Sequence, residues 1–356
     1  MKKNRQSNIE VLRVLCMFLI VISHYIYHGL KQNSYACLAG IYPFDIGVNI
    51  SFMDYSFMEL LYLISRVAVD CYVMITGYFL ITRLSFRWNG LISVWFQTLF
   101  YSVLIALLFK IFGPMSSMKK LLLSLLPIYS NAYWFVTTYV GLLLLAPFIS
   151  KVALNLSKRN YLALLMIFFL MNFQLLYGSI FSNRIFQFIG FYLVGGYFKI
   201  YGIPKIWKNN SKLVYLIVLL LLWTLATLYN WIFNNQNWDL KSSEYNDLIL
   251  FLALATFVLF LCMSCKSKYW RIITRLAPYT FGVYLIHDNE LIRGILWRHA
   301  TVNNYGLPMF IHCLLISFCI FILCVLIDYL KCKIFKMLGV QEKINLIISR
   351  IPKIEI

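Results

Sequence analysis

The segment NIEVLRVLCMFLIVISHYIYHG, from Asn8 to Gly29, is long and apolar enough to form a membrane-spanning helix. Glu10, Arg13 and His24 are ionisable residues inside this apolar run. An ionisable side chain at the centre of a membrane helix costs roughly 2.5–3.5 kcal/mol on insertion scales, so such residues usually mark function. The segment therefore indicates a membrane protein whose first helix contributes functional residues.

The whole chain has the composition of a polytopic membrane protein. Of its 356 residues, 62% are hydrophobic and 13% are charged, and no soluble domain buries so much apolar surface. The sequence predicts an all-α fold, a bundle of about ten transmembrane helices in the lipid bilayer. The predicted spans are residues 8–29, 57–80, 91–112, 133–150, 160–178, 184–201, 213–232, 248–265, 277–297 and 308–330.

The positive charges predict how this bundle is oriented. With the N-terminus inside the cell, 22 of the 32 Lys and Arg residues fall in segments on the cytoplasmic side, and seven fall in the outer segments. This asymmetry follows the positive-inside rule and predicts that both termini are cytoplasmic. The formal net charge of +19 is therefore an orientation signal, and we predict no nucleic-acid partner.

The regions outside the spans are short. We predict one integral membrane domain, residues 1–336, followed by a cytoplasmic tail, residues 337–356, whose mixture of apolar and charged residues is typical of an amphipathic segment on a membrane surface. The outer segment 233–247 is either a solvated connection or, with its Asn, Trp, Tyr and Asp side chains, a surface suited to sugars. One C-x-x-C pair, Cys262 and Cys265, has no second pair to complete a zinc site, so we predict no metal.

The polar residues of the first span share one face. Arg13 and His24 are separated by about 1100° of helical rotation, within roughly 20° of three full turns, and by about 16 Å along the axis. Glu10 lies one turn before Arg13 and can pair with it. The pair is either a snorkelling interfacial pair or part of a polar line, and His24 either satisfies a neighbouring helix or transfers a proton near neutral pH.

The second span and the turn after it contain two pairs of charged residues. Arg66 and Asp70 are four residues apart and can pair inside the membrane, either for structure or for function. Arg83 and Arg87 are also four apart, just beyond the span. Two guanidinium groups on one face suit phosphate binding. The alternative is that both are ordinary positive-inside residues, which only set the orientation of the protein.

The ninth span has several polar residues close together, the run His287, Asp288, Asn289 and Glu290, followed by Arg293. So many polar groups cannot all face lipid, and we expect this helix to line a cavity or to be broken there. A purely structural network is the alternative.

Several segments together resemble the acyltransferase family 3 membrane proteins, which acylate cell-surface polysaccharides and related glycans. The family's first helix has an Arg, ten residues and a His, as in Arg13 through His24. VDCYVMITGYFL resembles its second-span signature, with Thr76 in place of the usual Ser. The family's cytoplasmic Arg-x-x-Arg is matched less closely, because three residues separate Arg83 from Arg87.

The later segments resemble the family in the same order. NAYWFVTTYVGLLLLAP is similar to its Trp-Phe segment with a following proline, Trp134 to Pro147. FIGFYLVGGYF and FGVYLIHDNELIR resemble its Gly-rich and Tyr-Leu-x-His segments. A proline often occupies the position of Glu290, so no role is carried over to that residue. The resemblance extends over nearly the whole chain.

The resemblance implies a membrane O-acyltransferase in the cytoplasmic membrane of a bacterial cell. The implied donor is acyl-CoA, most often acetyl-CoA, reaching the site from the cytoplasm. The implied acceptor is a hydroxyl of a cell-surface polysaccharide or of its lipid-linked precursor. Arg13, Arg83, Arg87 and Trp134 are the residues expected to bind the donor.

The expected catalytic residues are His24 and Arg13 of the first helix, Asp70 of the second span, and His287 and Asp288 of the ninth. His24 would act as general base on the sugar hydroxyl or would carry the acyl group transiently. One of the carboxylates would orient an imidazole or balance its positive charge, and the sequence leaves open which one.

Two other function classes fit part of the pattern. A transporter or flippase for a lipid-linked oligosaccharide would also have many spans and buried charges, but no internal repeat is visible in the sequence. A polysaccharide polymerase would be expected to have a large outer loop with arginine-rich motifs, and the outer segments here are short.

Overall fold

The fold is known from a computed structural model. It describes residues 6–31, 52–113, 117–172, 183–233, 246–303 and 306–350. Residues 234–245, which make up most of the predicted outer segment 233–247, lie outside the described residues, as do residues 1–5, 32–51 and 351–356.

The described residues form α-helices and short helical turns, and no β-strand occurs among them, which confirms the predicted all-α class. The helices are α1 (Ser7–His24), α2 (Phe52–Leu80), α3 (Trp88–Phe112), α4 (Met118–Ser124), α5 (Trp134–Asn155), α6 (Lys158–Asn172), α7 (Arg184–Tyr201), α8 (Lys205–Phe233), α9 (Asn246–Cys262), α10 (Lys268–Thr274), α11 (Thr280–His287), α12 (Glu290–Ala300), α13 (Met309–Met337) and α14 (Val340–Ser349).

Five of these helices, among the described residues, are long and apolar enough to cross a membrane: α1, α2, α3, α5 and α13. Large apolar side chains also cover the outside of the bundle, and Leu221, Leu323 and Leu330 are each more than half exposed. A surface of this kind is stable when it faces lipid tails. The protein is therefore a helical membrane protein, whereas the ten crossings and the cytoplasmic termini stay predictions.

Helix α1 lies at the centre of the bundle. Of its most apolar stretch, 72% is buried inside the protein, compared with 28–56% for the other four candidate spans. It packs against α2, α9, α10, α11 and α13. A helix that is apolar on all sides is stable when other helices surround it, and this placement brings the ionisable residues of α1 into the protein interior.

Glycines allow α2 and α7 to pack backbone against backbone. A Cβ atom built on Gly77 would overlap the carbonyl of Tyr192, and one built on Gly195 would overlap the carbonyl of Met74. Small residues at such positions let membrane helices approach closely, where van der Waals contact replaces the hydrophobic effect. The two glycines of the sequence motifs therefore serve helix packing.

A buried ion pair fixes α13 near α11 and α3. The Lys331 ammonium lies 2.6 Å from Asp328, and the Tyr101 hydroxyl donates a hydrogen bond to the same carboxylate at 2.7 Å. Gly282 of α11 has no room for a side chain, because its Cβ would overlap the Asp328 carboxylate. The pair satisfies charges that would otherwise be costly inside a membrane protein.

Two departures from regular α-helix occur near the predicted polar residues. The chain continues past α1 as a π-helical segment, Tyr25–Lys31, and such segments are frequent at functional sites. The predicted span 277–297 is not one continuous helix, because a 3₁₀ turn, α11 and α12 follow one another there. The break follows His287, where the Asn289 side chain accepts a hydrogen bond from the Leu291 amide and caps α12. The expectation that the polar run breaks the helix is thus confirmed.

Candidate active site

Four ionisable side chains meet where the π-helical segment faces the break between α11 and α12. We call His24, His28, His287 and Asp288 the histidine cluster. The rings of His24 and His28 lie 5.0 Å apart between centroids, as do those of His24 and His287. His287 and Asp288 are buried, whereas His24 and His28 retain a small exposed fraction. The sequence prediction that His24, His287 and Asp288 belong to one site is consistent with this proximity.

Hydrogen bonds indicate which nitrogen carries the proton in the neutral rings of His287 and His24. His287 Nδ1 lies 2.6 Å from the Val283 carbonyl oxygen, and because a carbonyl only accepts, Nδ1 is the donor. In the neutral His287 ring, Nε2 is then an acceptor, and it lies 3.0 Å from His24 Nδ1. His24 Nδ1 must therefore donate, which leaves the lone pair of His24 on Nε2.

Asp288 is placed to balance positive charge on the cluster. One of its carboxylate oxygens, Oδ1, lies 3.6 Å from His24 Nδ1 and 3.6 Å from His28 Nε2. The same oxygen accepts a hydrogen bond from the Arg293 guanidinium at 3.3 Å. With only 2% of its side chain exposed, Asp288 interacts with these groups with little screening by water.

Tyr133 holds the break in place. Its hydroxyl donates to the Leu285 carbonyl at 2.9 Å and accepts from the Asn289 amide at 2.6 Å. Tyr133 directly precedes α5, so the start of α5 is tied to the end of α11 beside His287. These buried hydrogen bonds fix the backbone on both sides of the break beside His287.

A cavity of about 630 Å³ opens beside the cluster. Its walls come from α1 and its π-helical extension, α2, α5, α6, α7, α9 and α12. Along α1 and its π-helical extension, the cavity reaches from Ile20 to His28. This volume lies within the range of sites that enclose small ligands. The polar and charged side chains on its walls are Ser23, His24, His28, Ser65, Arg66, Asp70, Arg184, Gln187 and Arg293, and Trp134 is one of its aromatic residues.

Asp70 is the predicted site residue that α2 contributes to this cavity. It is half-buried and lies one helical turn from Arg66, which also lines the cavity. The Arg66 guanidinium is 3.3 Å from the Tyr62 hydroxyl. Asp70 therefore belongs to the cavity wall beside the cluster, and no hydrogen bond joins it to His24 among the described residues.

Arg13 lies at the opposite end of α1 and pairs as the sequence predicts. Its guanidinium is 2.8 Å from the Glu10 carboxylate and lies over the Phe79 ring, 5.5 Å from the ring centre. The Arg13 carbonyl accepts a hydrogen bond from the Tyr72 hydroxyl at 2.9 Å. Arg13 does not line the cavity that contains His24.

The other predicted donor-binding residues lie in two places. Arg83 and Arg87 are exposed in the turn between α2 and α3. Trp134 lines the cavity beside the histidine cluster. Since Ser150 of α5 reaches the Leu80 carbonyl, Trp134 lies roughly 24 Å along that helix from the end near Arg83. The structure therefore does not bring Trp134 together with the two arginines.

Sequence reasoning assigned no role to His28, Arg184, Gln187 or Arg293, all of which line the cavity. His28 follows His24 by one turn, and Arg293 lies in the polar run of the ninth span, so spacing could have found both. No spacing or polar run in the sequence marks Arg184 or Gln187. They line the cavity because α7 packs against α2.

Among the residues that the structure describes, one group of side chains could hold a metal ion. The ligand atoms of His24, His28 and Asp288 lie within 4.8 Å of one another. However, the Asp288 oxygen already accepts from Arg293, and His24 Nδ1 is engaged by His287. Both interactions compete with a cation, and the absence of a metal requirement stays a prediction.

Comparison with known proteins identifies the family. The sequence model of acyltransferase family 3, described as an acyltransferase domain, matches residues 6–329, nearly the whole chain. The chain belongs to this family, and the match supports a transferase. No curated protein and no solved structure matches the chain.

Proposed function

We propose that this member of acyltransferase family 3 moves a small acyl group, acetyl, from acyl-CoA to a hydroxyl of a cell-surface polysaccharide or its lipid-linked precursor. The donor approaches from the cytoplasm and the acceptor from the other side of the cytoplasmic membrane. His24 is the catalytic residue, and it acts in the cavity beside the histidine cluster.

The observation that supports this proposal most strongly is the hydrogen-bonded chain Val283, His287, His24. It holds the His24 ring with its proton on Nδ1 and its lone pair on Nε2. An imidazole in this tautomer, at the wall of a cavity large enough for a small ligand, has the properties of a general base.

In the proposed reaction, His24 Nε2 takes the proton of the acceptor hydroxyl as its oxygen attacks the thioester carbonyl carbon. The new C–O bond forms, the C–S bond breaks, and CoA leaves as a thiolate that takes up the proton. Asp288, 3.6 Å from His24 Nδ1, stabilises the imidazolium that exists between these events. An alternative order first places the acyl group on His24 and then transfers it to the hydroxyl.

The donor must reach His24 from the end of α1 that carries Arg13. Arg83 and Arg87 are proposed to bind the CoA phosphates there, and Arg13 to contact the donor next. The cavity now ends at Ile20, and Cys16 and Met17 are buried between it and Arg13. The proposal therefore requires side chains on this part of α1 to move when the pantetheine arm enters.

The test compares surface glycan from cells that carry the wild type, His24→Ala, His299→Ala or a gene deletion. His299 is an exposed histidine of α12, so its variant controls for loss of an imidazole. We expect ester-linked acyl groups, measured by NMR, to disappear in the deletion and His24→Ala strains and to persist in the control. Loss of the polymer itself, with unchanged esters on what remains, would instead favour the transporter alternative.

A further inference from the structure

The cavity beside the histidine cluster has an excess of positive charge. Arg66, Arg184 and Arg293 all line it. Asp70 is the one carboxylate among the lining residues that the structure describes. A cleft whose lining charges are mostly of one sign, bounded by apolar walls, raises the local concentration of ligands of the opposite sign. The charge of the walls therefore favours an anionic ligand.

Arg184 is the arginine most available to such a ligand. It begins α7 and is exposed at the mouth of the cavity, with its guanidinium carbon 4.5 Å from the centre of the Trp134 ring. Within the described part of the chain, Arg184 forms no ion pair. Stacking on an indole holds the planar guanidinium in a fixed orientation, which suits bidentate binding of a carboxylate or phosphate.

The arginines deeper in the cavity have partners of their own. Arg293 donates to Asp288, and Arg66 lies against the ring and hydroxyl of Tyr62. These contacts fix the two side chains in the wall, and the Asp288 carboxylate offsets the charge of Arg293. The positive charge available to a ligand therefore comes mainly from Arg184. Gln187, one turn after Arg184, adds an amide to the same wall. The opening of the cavity thus combines the oriented Arg184 guanidinium with the neutral amide of Gln187.

We propose that the acceptor is anionic: a sugar unit that carries a carboxylate or a phosphate, which Arg184 binds while the neighbouring hydroxyl reaches His24. This inference rests on the proposed function, whose acceptor it defines. The CoA phosphates are the other source of such an anion. However, the residues proposed to bind them lie at the end of α1 with Arg13, about 16 Å along the axis from His24.

The test measures binding, independently of catalysis, to the full chain in lipid nanodiscs at low ionic strength. The probes are sodium glucuronate, inorganic phosphate, glucose and CoA. The proteins are the wild type, Arg184→Gln and Arg298→Gln. Arg298 is an exposed arginine of α12 that does not line the cavity, so its variant removes the same charge elsewhere.

We expect the wild type and Arg298→Gln to bind glucuronate or phosphate more tightly than glucose, and Arg184→Gln to weaken anion binding about five- to tenfold. The effect should shrink as salt is added, and CoA affinity should not change. Equal binding of anions and glucose, or an unchanged preference in Arg184→Gln, would overturn the proposal. Weaker CoA binding in Arg184→Gln would assign the mouth to the donor and also overturn it. Failure of the proposed function would appear separately, as unchanged glycan esters in the His24→Ala strain.

Discussion

The two ends of α1 carry ionisable residues in different surroundings. At one end, His24 is hydrogen-bonded to the buried His287, and Asp288 lies close to both His24 and His28. At the other end, Arg13 pairs with its neighbour in sequence, Glu10, and keeps about a third of its side chain exposed. The first arrangement depends on contacts between distant helices, and the second is local.

We expect the side chains at the histidine end to be held in one orientation and those at the arginine end to adapt to a ligand. Groups held by several buried hydrogen bonds keep one orientation, which general-base catalysis requires. Exposed arginines can follow a flexible phosphate ligand and then release it. We therefore expect variants at the histidine end to lower kcat and variants at the arginine end to raise the KM for the donor.

The largest effect after loss of His24 is expected at His287. His287→Ala removes the acceptor that holds His24 Nδ1, so kcat should fall about 10- to 100-fold. The KM values for donor and acceptor should change little, because His287 positions His24 and touches neither substrate in the proposed reaction. The pH dependence of kcat should also shift, since the neighbour of the base has been removed. A loss confined to protein yield, with kcat and its pH profile unchanged, would contradict a positioning role.

A smaller effect is expected at the arginine end. Replacing Arg83 and Arg87 together by Gln should raise the KM for acetyl-CoA about tenfold and leave kcat nearly unchanged. Arg159→Gln is the matched control, because Arg159 is exposed in α6 and also lies on the predicted cytoplasmic side. If the double variant lowered kcat without changing the KM for acetyl-CoA, the assignment of donor binding to the arginine end and catalysis to the histidine end would be wrong.

A packing variant is expected to affect stability more than chemistry. Gly77→Ala should lower the stability of the folded protein by about 1–3 kcal/mol, because its Cβ would meet the α7 backbone. Gly294→Ala is the control, since a Cβ there meets no atom within 4 Å. Thermal unfolding in detergent measures the difference. Equal midpoints for the two variants would show that α2 and α7 separate easily.

The smallest effect is expected from metal removal. Dialysis of the purified protein against EDTA should leave the rate of acyl transfer unchanged, because Arg293 engages Asp288 Oδ1 and His287 engages His24 Nδ1, and both interactions compete with a cation. Elemental analysis of the protein before dialysis provides the control. A stoichiometric metal whose removal abolishes transfer would turn His24, His28 and Asp288 into ligands and contradict the general-base role.

Apolar windows of about 20 residues predicted the long helices, and helical spacing predicted the polar face of α1, because both signals are local in sequence. The bounds of α7 match the predicted span 184–201, and Arg13 pairs with Glu10 as expected. The polar run after His287 breaks its helix, since these groups cannot all be satisfied within one lipid-facing helix. Each of these features depends only on residues within a few helical turns along the same segment, which is why the sequence predicts them.

Contacts between distant segments could not be predicted in the same way. Helical spacing shows which side of α1 His24 occupies, but not that His287 is its partner, 263 positions along the chain. The position of Trp134 beside the histidine cluster, and of Arg184 above its ring, depends on how α5 and α7 pack. The buried Asp328–Lys331 pair also went unrecognised, because nothing local marks it as partner to Tyr101.

The most direct test of the central claim is the rate of acyl transfer by purified protein in nanodiscs. The assay would follow radiolabelled acetyl-CoA and glycan from the deletion strain as acceptor, with His24→Ala compared with His299→Ala and the wild type. Removal of a general base predicts a loss of about 10²–10⁴-fold in kcat for His24→Ala, with normal folding and donor binding, and no loss for His299→Ala. Transfer by His24→Ala at the wild-type rate would contradict the account.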